Sequence, residues 1–329
     1  MSASNDLAAV RQIKRAAEAH LAGKANTVAV GVGYKISNGV VTNELAVMVS
    51  VRRKLPLAEL TEAQAVPRSV DGVRTDVVET GEIVAFQDPK AKMRPARPGV
   101  SIGHFQITAG TFGCLVRKGG ELFILSNNHV LANSNNAQVG DPVWQPGRAD
   151  GGTSADQIGA LAEFVPIAFD GSTPAPGNGC SPLSSLLSAF APKPKVQNVP
   201  GDNKVDCALA RPTTPDLVNA DILNIGVPAG TAAATLGTAL QKSGRNTGYT
   251  TGTVTQIDVR VNVNDGGPTA TFSGQLMAGA MSQGGDSGSA VLDMQKRVVA
   301  LLYAGSATTT IMNPIQYVVD ALGIEVVTQ

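Results

Sequence analysis

Apolar residues recur along this chain with two different periods. Over residues 6–22, Leu7, Val10, Ile13, Ala17 and Leu21 return at three- and four-residue spacing, which predicts an amphipathic helix. Ser4, Asn5 or Asp6 stands where a helix cap is needed. Two strand-like runs follow, NTVAVGVGYK and ELAVMVSVRRK. A short helix is expected after Pro56 over LAELTEAQ, then a strand within RTDVVETGEIV. Together these predict a small α/β accessory domain over residues 1–86. GVGYK lacks the third glycine and the following helix of a dinucleotide-binding turn, so it reads as a glycine-containing strand.

Residues 87–99, QDPKAKMRPARPG, carry three prolines and four basic residues with no apolar period. They read as a linker or an extended strap. Beyond them the pattern becomes many short strands: TFGCLVRKGG, ELFILSNN, IGALAEFV, VDCALARP, GYTTGTVTQIDVRVNV, SGSAVLD and RVVALLYAG. Turn signals such as KGG, NDGG and DMQKR separate them, and no long helix intervenes. Strands at this spacing predict antiparallel barrels. The stretch from about 170 to 203 is rich in Pro, Ser and Gly and is expected to be a long surface loop, with a helical turn or two in LSSLLSAF. There is no internal repeat.

Composition narrows the picture. The chain has 329 residues, enough for about two domains, and 43% are hydrophobic but only 4% aromatic. Abundant Gly, Ala, Val and Thr suit short strands joined by glycine turns. The 26 basic and 26 acidic residues cancel, so there is no electrostatic footprint for nucleic acid. No run of about 18 apolar residues exists to span a membrane, and the first segment lacks the apolar stretch of a secretory signal. Cys114, Cys180 and Cys207 are far apart and odd in number, which suggests neither a metal knuckle nor a disulfide framework. With no HExxH and no GxxxxGK[ST], neither a metal nor a nucleotide is implied, and no cofactor is expected. A cytoplasmic location with reduced thiols is the expectation.

The chemistry concentrates in QGGDSGSAV at 283–291. A nucleophilic serine needs exposure on a tight turn, a nearby base and donors for the oxyanion it generates. Gly284, Gly285 and Gly288 permit a strained turn that presents Ser287, and leave the N–H groups of Gly285 and Ser287 able to point together. ILSNNHVL puts His129 at the end of an apolar strand, ahead of a turn into a short helical stretch. The other two histidines lie on the first helix (His20) and at the start of the barrel region (His104). KVDCALA places Asp206 where a part-buried carboxylate can hold an imidazole tautomer, with Asp156 and Asp202 as the next acids. The order His, Asp, Ser is one of three common arrangements of such a triad.

Residues 100–329 resemble a chymotrypsin-like (trypsin-fold, PA-clan) serine peptidase of bacterial type. The motifs that carry the resemblance are GTFGCLV, ILSNNHVL, VDCALA, KSGRNTGYTTGTV, GGDSGSAV and VVALLYAGS. It implies a mostly β double barrel, the first over 100–225 and the second over 226–329, with a catalytic triad of His129, Asp206 and Ser287 in the cleft between them. It also implies an oxyanion hole at Gly285 and Ser287. The edge Tyr303-Ala304-Gly305 would pair with extended substrate, and Met281, six positions before Ser287, would lie near the base of the specificity pocket and favour an apolar residue there. Asp286 would need a buried cation, with Lys242 and Arg245 in the segment that supplies one. Animal relatives have a disulfide joining the residue after the histidine to one fifteen positions before it; here Cys114 is present but Val130 replaces its partner.

A serine endopeptidase acting on protein or peptide substrates through an acyl-enzyme is therefore the leading reading. The alternatives are a hydrolase with one dedicated partner or self-cleavage site, and a latent or silent scaffold that only binds. Residues 1–86 read as an integral accessory domain, a removable pro-segment or a module for oligomerisation. The short basic cluster Arg52, Arg53, Lys54 reads as a solvated face.

Overall fold

The structure is a computed structural model that describes residues 6–37, 39–83, 88–170, 202–264 and 269–328. The chain divides into two units, 1–87 and 88–329. The expected surface loop and its helical turns fall on 171–201, outside the described residues, as does Cys180.

In the first unit, Asp6 opens helix α1 (Leu7–Ala22) by accepting from Ala8 N at 2.9 Å, which satisfies one of the orphan donors of a helix start. The predicted stripe is the buried one: Val10, Ala17 and Leu21 pack on Val47, Val49 and Val73. The sheet beneath has the order β1 (Thr27–Ser37), β2 (Val40–Val51), β4 (Val73–Glu79), β3 (Ser69–Val70). GVGYK lies inside β1. The helix expected over LAELTEAQ is only a 3-10 turn, Leu57–Glu59. None of its side chains is buried, so there is no apolar face to pay the entropy of a longer helix.

The second unit is mostly β. Its first half contains β5 (Ser101–His104), β6 (Gly110–Thr111), β7 (Cys114–Lys118), β8 (Glu121–Ser126), helix α2 (Asn128–Leu131), β9 (Pro142–Trp144), β10 (Gln157–Phe164) and β11 (Ala208–Pro212). Its second half contains β12 (Ala239–Gly244), β13 (Gly248–Asn264), β14 (Thr269–Gly279), β15 (Ala290–Asp293), β16 (Val298–Gly305), β17 (Thr309–Pro314), helix α3 (Ile315–Leu322) and β18 (Glu325–Val326). The six strands β12-β13-β14-β17-β16-β15 close into a barrel. The first half is built on a sheet of its own. It is an eight-stranded sheet, β18-β7-β8-β11-β10-β9-β5-β6, whose outermost strand β18 comes back from the C-terminus to pair with β7.

Each half has its own core, with Phe112, Ile124, Leu131 and Ile158 in the first and Leu240, Val254, Val299 and Met312 in the barrel. A third cluster joins them: Cys114, Leu125 and Cys207 meet Leu292 and Leu301 and are sealed by Val318 and Leu322 of α3. Burial pushes the Cys114 thiol up to about 12, so it behaves as a small apolar side chain. Residues 88–99 lie within this unit as a strap. Ala96 N donates to Leu217 O at 2.7 Å, Gly99 N to Phe112 O at 2.7 Å, and Met93 N to Gln145 Oε1 at 2.9 Å. Among the described residues no helix is long and apolar enough to cross a membrane.

Candidate active site

Strand β8 ends at Ser126, and the chain turns at once into α2, which carries His129. The short helix leaves its first N–H groups without partners in the helix, and Asp206 supplies one. Asp206 Oδ1 accepts from Asn128 N at 2.7 Å and from His129 N at 3.3 Å, and Oδ2 meets His129 Nδ1 at 2.5 Å. Asn313 Oδ1 accepts from Asp206 N at 3.0 Å and Asn127 Nδ2 donates to Asp206 O at 2.7 Å. The carboxylate is thus buried, 3% exposed, while the imidazole keeps 22%. An ionised Asp206 makes Nδ1 the donor, which leaves Nε2 as the basic nitrogen.

Ser287 sits on the turn between β14 and β15. Gly288, with φ +94°, has no room for a side chain: a Cβ there would lie 2.1 Å from Ser126 Oγ and 2.4 Å from Thr111 O. Gly285 has φ +97°, and a Cβ there would lie 2.5 Å from Arg245 Nη1. Thr111 pins the same turn, accepting from Arg245 N and donating to Gly285 O, both at 3.0 Å, while its N–H donates to Ser287 O at 2.7 Å. The N–H groups of Gly285 and Ser287 have no acceptor among the described residues. Ser287 Oγ lies 3.4 Å from the Tyr303 carbonyl.

Asp286 is held from five donors. Asn246 N and Thr247 N reach Oδ1 at 2.8 and 3.1 Å. Gln283 N, Thr247 Oγ1 and Lys242 Nζ reach Oδ2 at 2.9, 2.6 and 3.2 Å. Burial works to raise its pKa, but Lys242 and the hydrogen bonds outweigh it and keep the carboxyl below its ordinary value. Lys242, fully buried itself, is lowered by desolvation against the pull of Asp286. Arg245 is placed elsewhere. It forms a two-pronged pair with Asp150 of the first half, at 2.5 and 2.7 Å, because its side chain runs towards that half while Lys242 runs into the barrel. Of the two expected cations, only Lys242 meets Asp286.

A cavity of about 780 Å³ receives His129, Asp206 and Ser287 together, and is also lined by Met281, Tyr303, Ala304 and Gly305. Met281 is almost fully buried and its carbonyl accepts from Thr250 Oγ1 at 2.7 Å. The ring of Tyr303 lies 4.7 Å from Phe272. Its hydroxyl is buried without a partner, and burial, with Asp206 nearby, raises its pKa. Among the described lining residues the only carboxylate is Asp206, and none is Lys or Arg. Past Leu302, whose N–H and C=O bond Ser289 and Gly288, the β15 side of β16 has no strand partner among the described residues.

Asp156 and Asp202 are not beside His129. Asp156 sits in a capping box with Thr153 and pairs with Lys92 at 2.7 Å; Asp202 meets Ser273 and Arg260. Thr111, Asp150 and Asn313 are site residues that the sequence reading does not single out. Thr111 lies in GTFGCLV, where no local pattern sets it apart.

No protein-family model matches the chain, and no curated protein does. Solved structures do. Thermobifida fusca protease A is 19% identical over 71% of this chain and 100% of its own, with a TM-score of 0.47. Cellulomonas bogoriensis chymotrypsin is 18% identical over 70% and 98%, with a TM-score of 0.45. A glutamic-acid-specific serine protease is 21% identical over 70% and 100%, with a TM-score of 0.47.

Proposed function

We propose that this chain is a serine endopeptidase that cleaves protein or peptide substrates through an acyl-enzyme on Ser287. The observation that carries the reading is the buried Asp206 against His129 Nδ1 at 2.5 Å, in one cavity with a serine on a glycine-built turn. In the proposed reaction Ser287 Oγ attacks the scissile carbonyl while His129 Nε2 takes its proton. The same proton then goes to the leaving amine. Asp206 keeps the imidazole in its tautomer and stabilises the imidazolium. The unengaged N–H groups of Gly285 and Ser287 are available to the oxyanion, an interaction made most strongly in the transition state. A water activated by His129 then releases the acyl group.

The open edge at Tyr303, Ala304 and Gly305 is suited to an extended substrate backbone, which would add to the sheet as a further strand. A cavity lined by Ala280, Met281 and Ala307, with no Lys or Arg among its described lining residues and its one described carboxylate, Asp206, engaged by His129, supports an uncharged, apolar side chain at the cleaved position, since a charged one would be desolvated without a partner. The test is hydrolysis of a blocked tetrapeptide anilide ending in Leu by wild type and Ser287→Ala, with an Arg-ended substrate alongside. Turnover of the Leu substrate, lost in Ser287→Ala, is expected. Turnover retained by Ser287→Ala, or confined to the Arg substrate, contradicts the reading.

A further inference from the structure

The first unit holds a cavity of its own, of about 400 Å³, within the range of pockets that take small ligands. Its floor is apolar, built from Val51, Leu55, Leu57, Leu60, Val66 and Val77. Its rim is basic: Lys35, Arg53, Lys54, Arg68 and Arg74 line it, and among the described lining residues there is no Asp or Glu. Three of these cations have local company. Lys35 lies 3.7 Å from Asp76, Arg74 lies 4.0 Å from Glu44, and Lys54 Nζ donates to Val77 O at 3.0 Å. The guanidinium groups of Arg53 and Arg68 have no partner among the described residues. On the same wall Thr27 Oγ1 is buried with no hydrogen-bond partner. Leu57, at 65% exposed, puts apolar surface beside these charges.

A solvated basic face needs no apolar floor, and an apolar cavity needs no unpaired guanidinium. The two together match an anion carried on an apolar body. We propose that this cavity binds the C-terminal end of a peptide whose last residue is apolar. Arg53 and Arg68 take the carboxylate, which the planar guanidinium fork matches with two parallel hydrogen bonds. The terminal side chain rests on Leu55, Leu57 and Leu60. The choice of a peptide end rests on the proposed hydrolase reading, because hydrolysis of the acyl-enzyme leaves a carboxylate directly after the apolar residue at the cleaved position. An inorganic anion would leave the floor unused.

The test is calorimetric titration of the full-length Ser287→Ala protein, which consumes no peptide, with a Leu-terminated pentapeptide acid, its C-terminal amide and decanoate. The acid is expected to bind and the amide to bind at least about tenfold more weakly, a step of roughly 1.4 kcal/mol. Combining Arg53→Glu with Arg68→Glu is expected to weaken the acid by a similar factor without moving the melting temperature, both residues being exposed. Equal binding of acid and amide overturns the proposal. So does acid binding that survives the paired substitutions, which would locate it elsewhere, the cavity beside Ser287 included. Decanoate binding without peptide binding would give the cavity to a free fatty acid and overturn it as well. Failure of the hydrolase reading is registered separately, as absent turnover by wild type, which no arm of this titration uses.

Discussion

Two histidine–aspartate pairs lie in the first half of the second unit, and they are built the opposite way round. At the end of β5 the histidine is the buried member: His104 is fully buried and its Nε2 lies 3.0 Å from Asp141, which keeps 28% of its side chain exposed. Beside α2 the acid is the buried member, Asp206 at 3% and His129 at 22%. His104 Nδ1 accepts from Gln106 N at 3.3 Å, so both its ring nitrogens are used by neighbouring backbone and side chain. The Gln138 N–H, and after it His104, holds the Asp141 carboxyl below its ordinary range. That pair ties the end of β5 to the residue that precedes β9. His129 instead faces the cavity that holds Ser287, with a carboxylate fixed behind it. A histidine–acid contact is therefore no mark of a site by itself. What separates the two pairs is which partner is buried and which faces the space a substrate would enter.

The sharpest way to break this contrast is to remove each imidazole. His129→Ala is expected to lower kcat by about 10⁶, the scale seen when a triad serine or histidine is lost, with the melting temperature almost unmoved. His104→Ala is expected to leave kcat within a few-fold while costing about 2 kcal/mol, or about 4–8 °C in Tm for a unit of this size. Steady-state kinetics and thermal unfolding on both variants decide it; the reverse pattern would exchange their roles.

Neutralising the acids follows. Asp206→Asn is expected to cost about 10⁴ in kcat at neutral pH, since an amide cannot hold the imidazole tautomer, while Asp141→Asn changes kcat little. A loss of only a few-fold at Asp206 would break the assignment.

Another buried carboxylate, Asp286, extends the contrast to the serine side. Lys242→Met leaves Asp286 buried without its cation, which is expected to cost about 3–5 kcal/mol, read by urea unfolding, with kcat falling as the turn loosens. Arg245→Gln breaks only the more exposed pair with Asp150 and should cost less. Equal losses would mean that the two cations share one task.

The smallest effect belongs to Asp156. Lys92 and Thr153 hold its carboxyl at about 2 in the folded state, against about 3.9 when unfolded. Its folded value is depressed, so its contribution is complete above pH ~4 and is lost as pH falls towards ~2. Asp156→Asn is expected to flatten the stability curve in that window alone, leaving kcat at neutral pH unchanged. A large loss of kcat would return Asp156 to the site.

Much of this was legible in the sequence, because it is carried by short segments. The stripe of α1, the strands of the second unit, the glycine turn about Ser287 and the His129 turn each depend on neighbours a few residues away. The pairing of Asp206 with His129 followed from residue order and likeness. What was not legible depends on approach across the fold. Arg245 meets Asp150, 95 positions away, and Thr111 reaches a turn more than 170 positions on. No local pattern encodes either contact. The 3-10 turn at Leu57–Glu59 failed as a predicted helix for a related reason: its Leu57 lines a cavity and none of its side chains is buried. The eight-stranded first half depends on β18, whose two residues carry no periodic signal at all.

The most direct test of the catalytic assignment is fluorophosphonate labelling of purified wild type and Ser287→Ala, with intact mass recorded on both. One adduct on wild type and none on Ser287→Ala is the expected result, since only an activated serine beside a base reacts readily. No adduct on folded wild type, or an equal adduct on Ser287→Ala, would contradict the assignment of Ser287 as nucleophile.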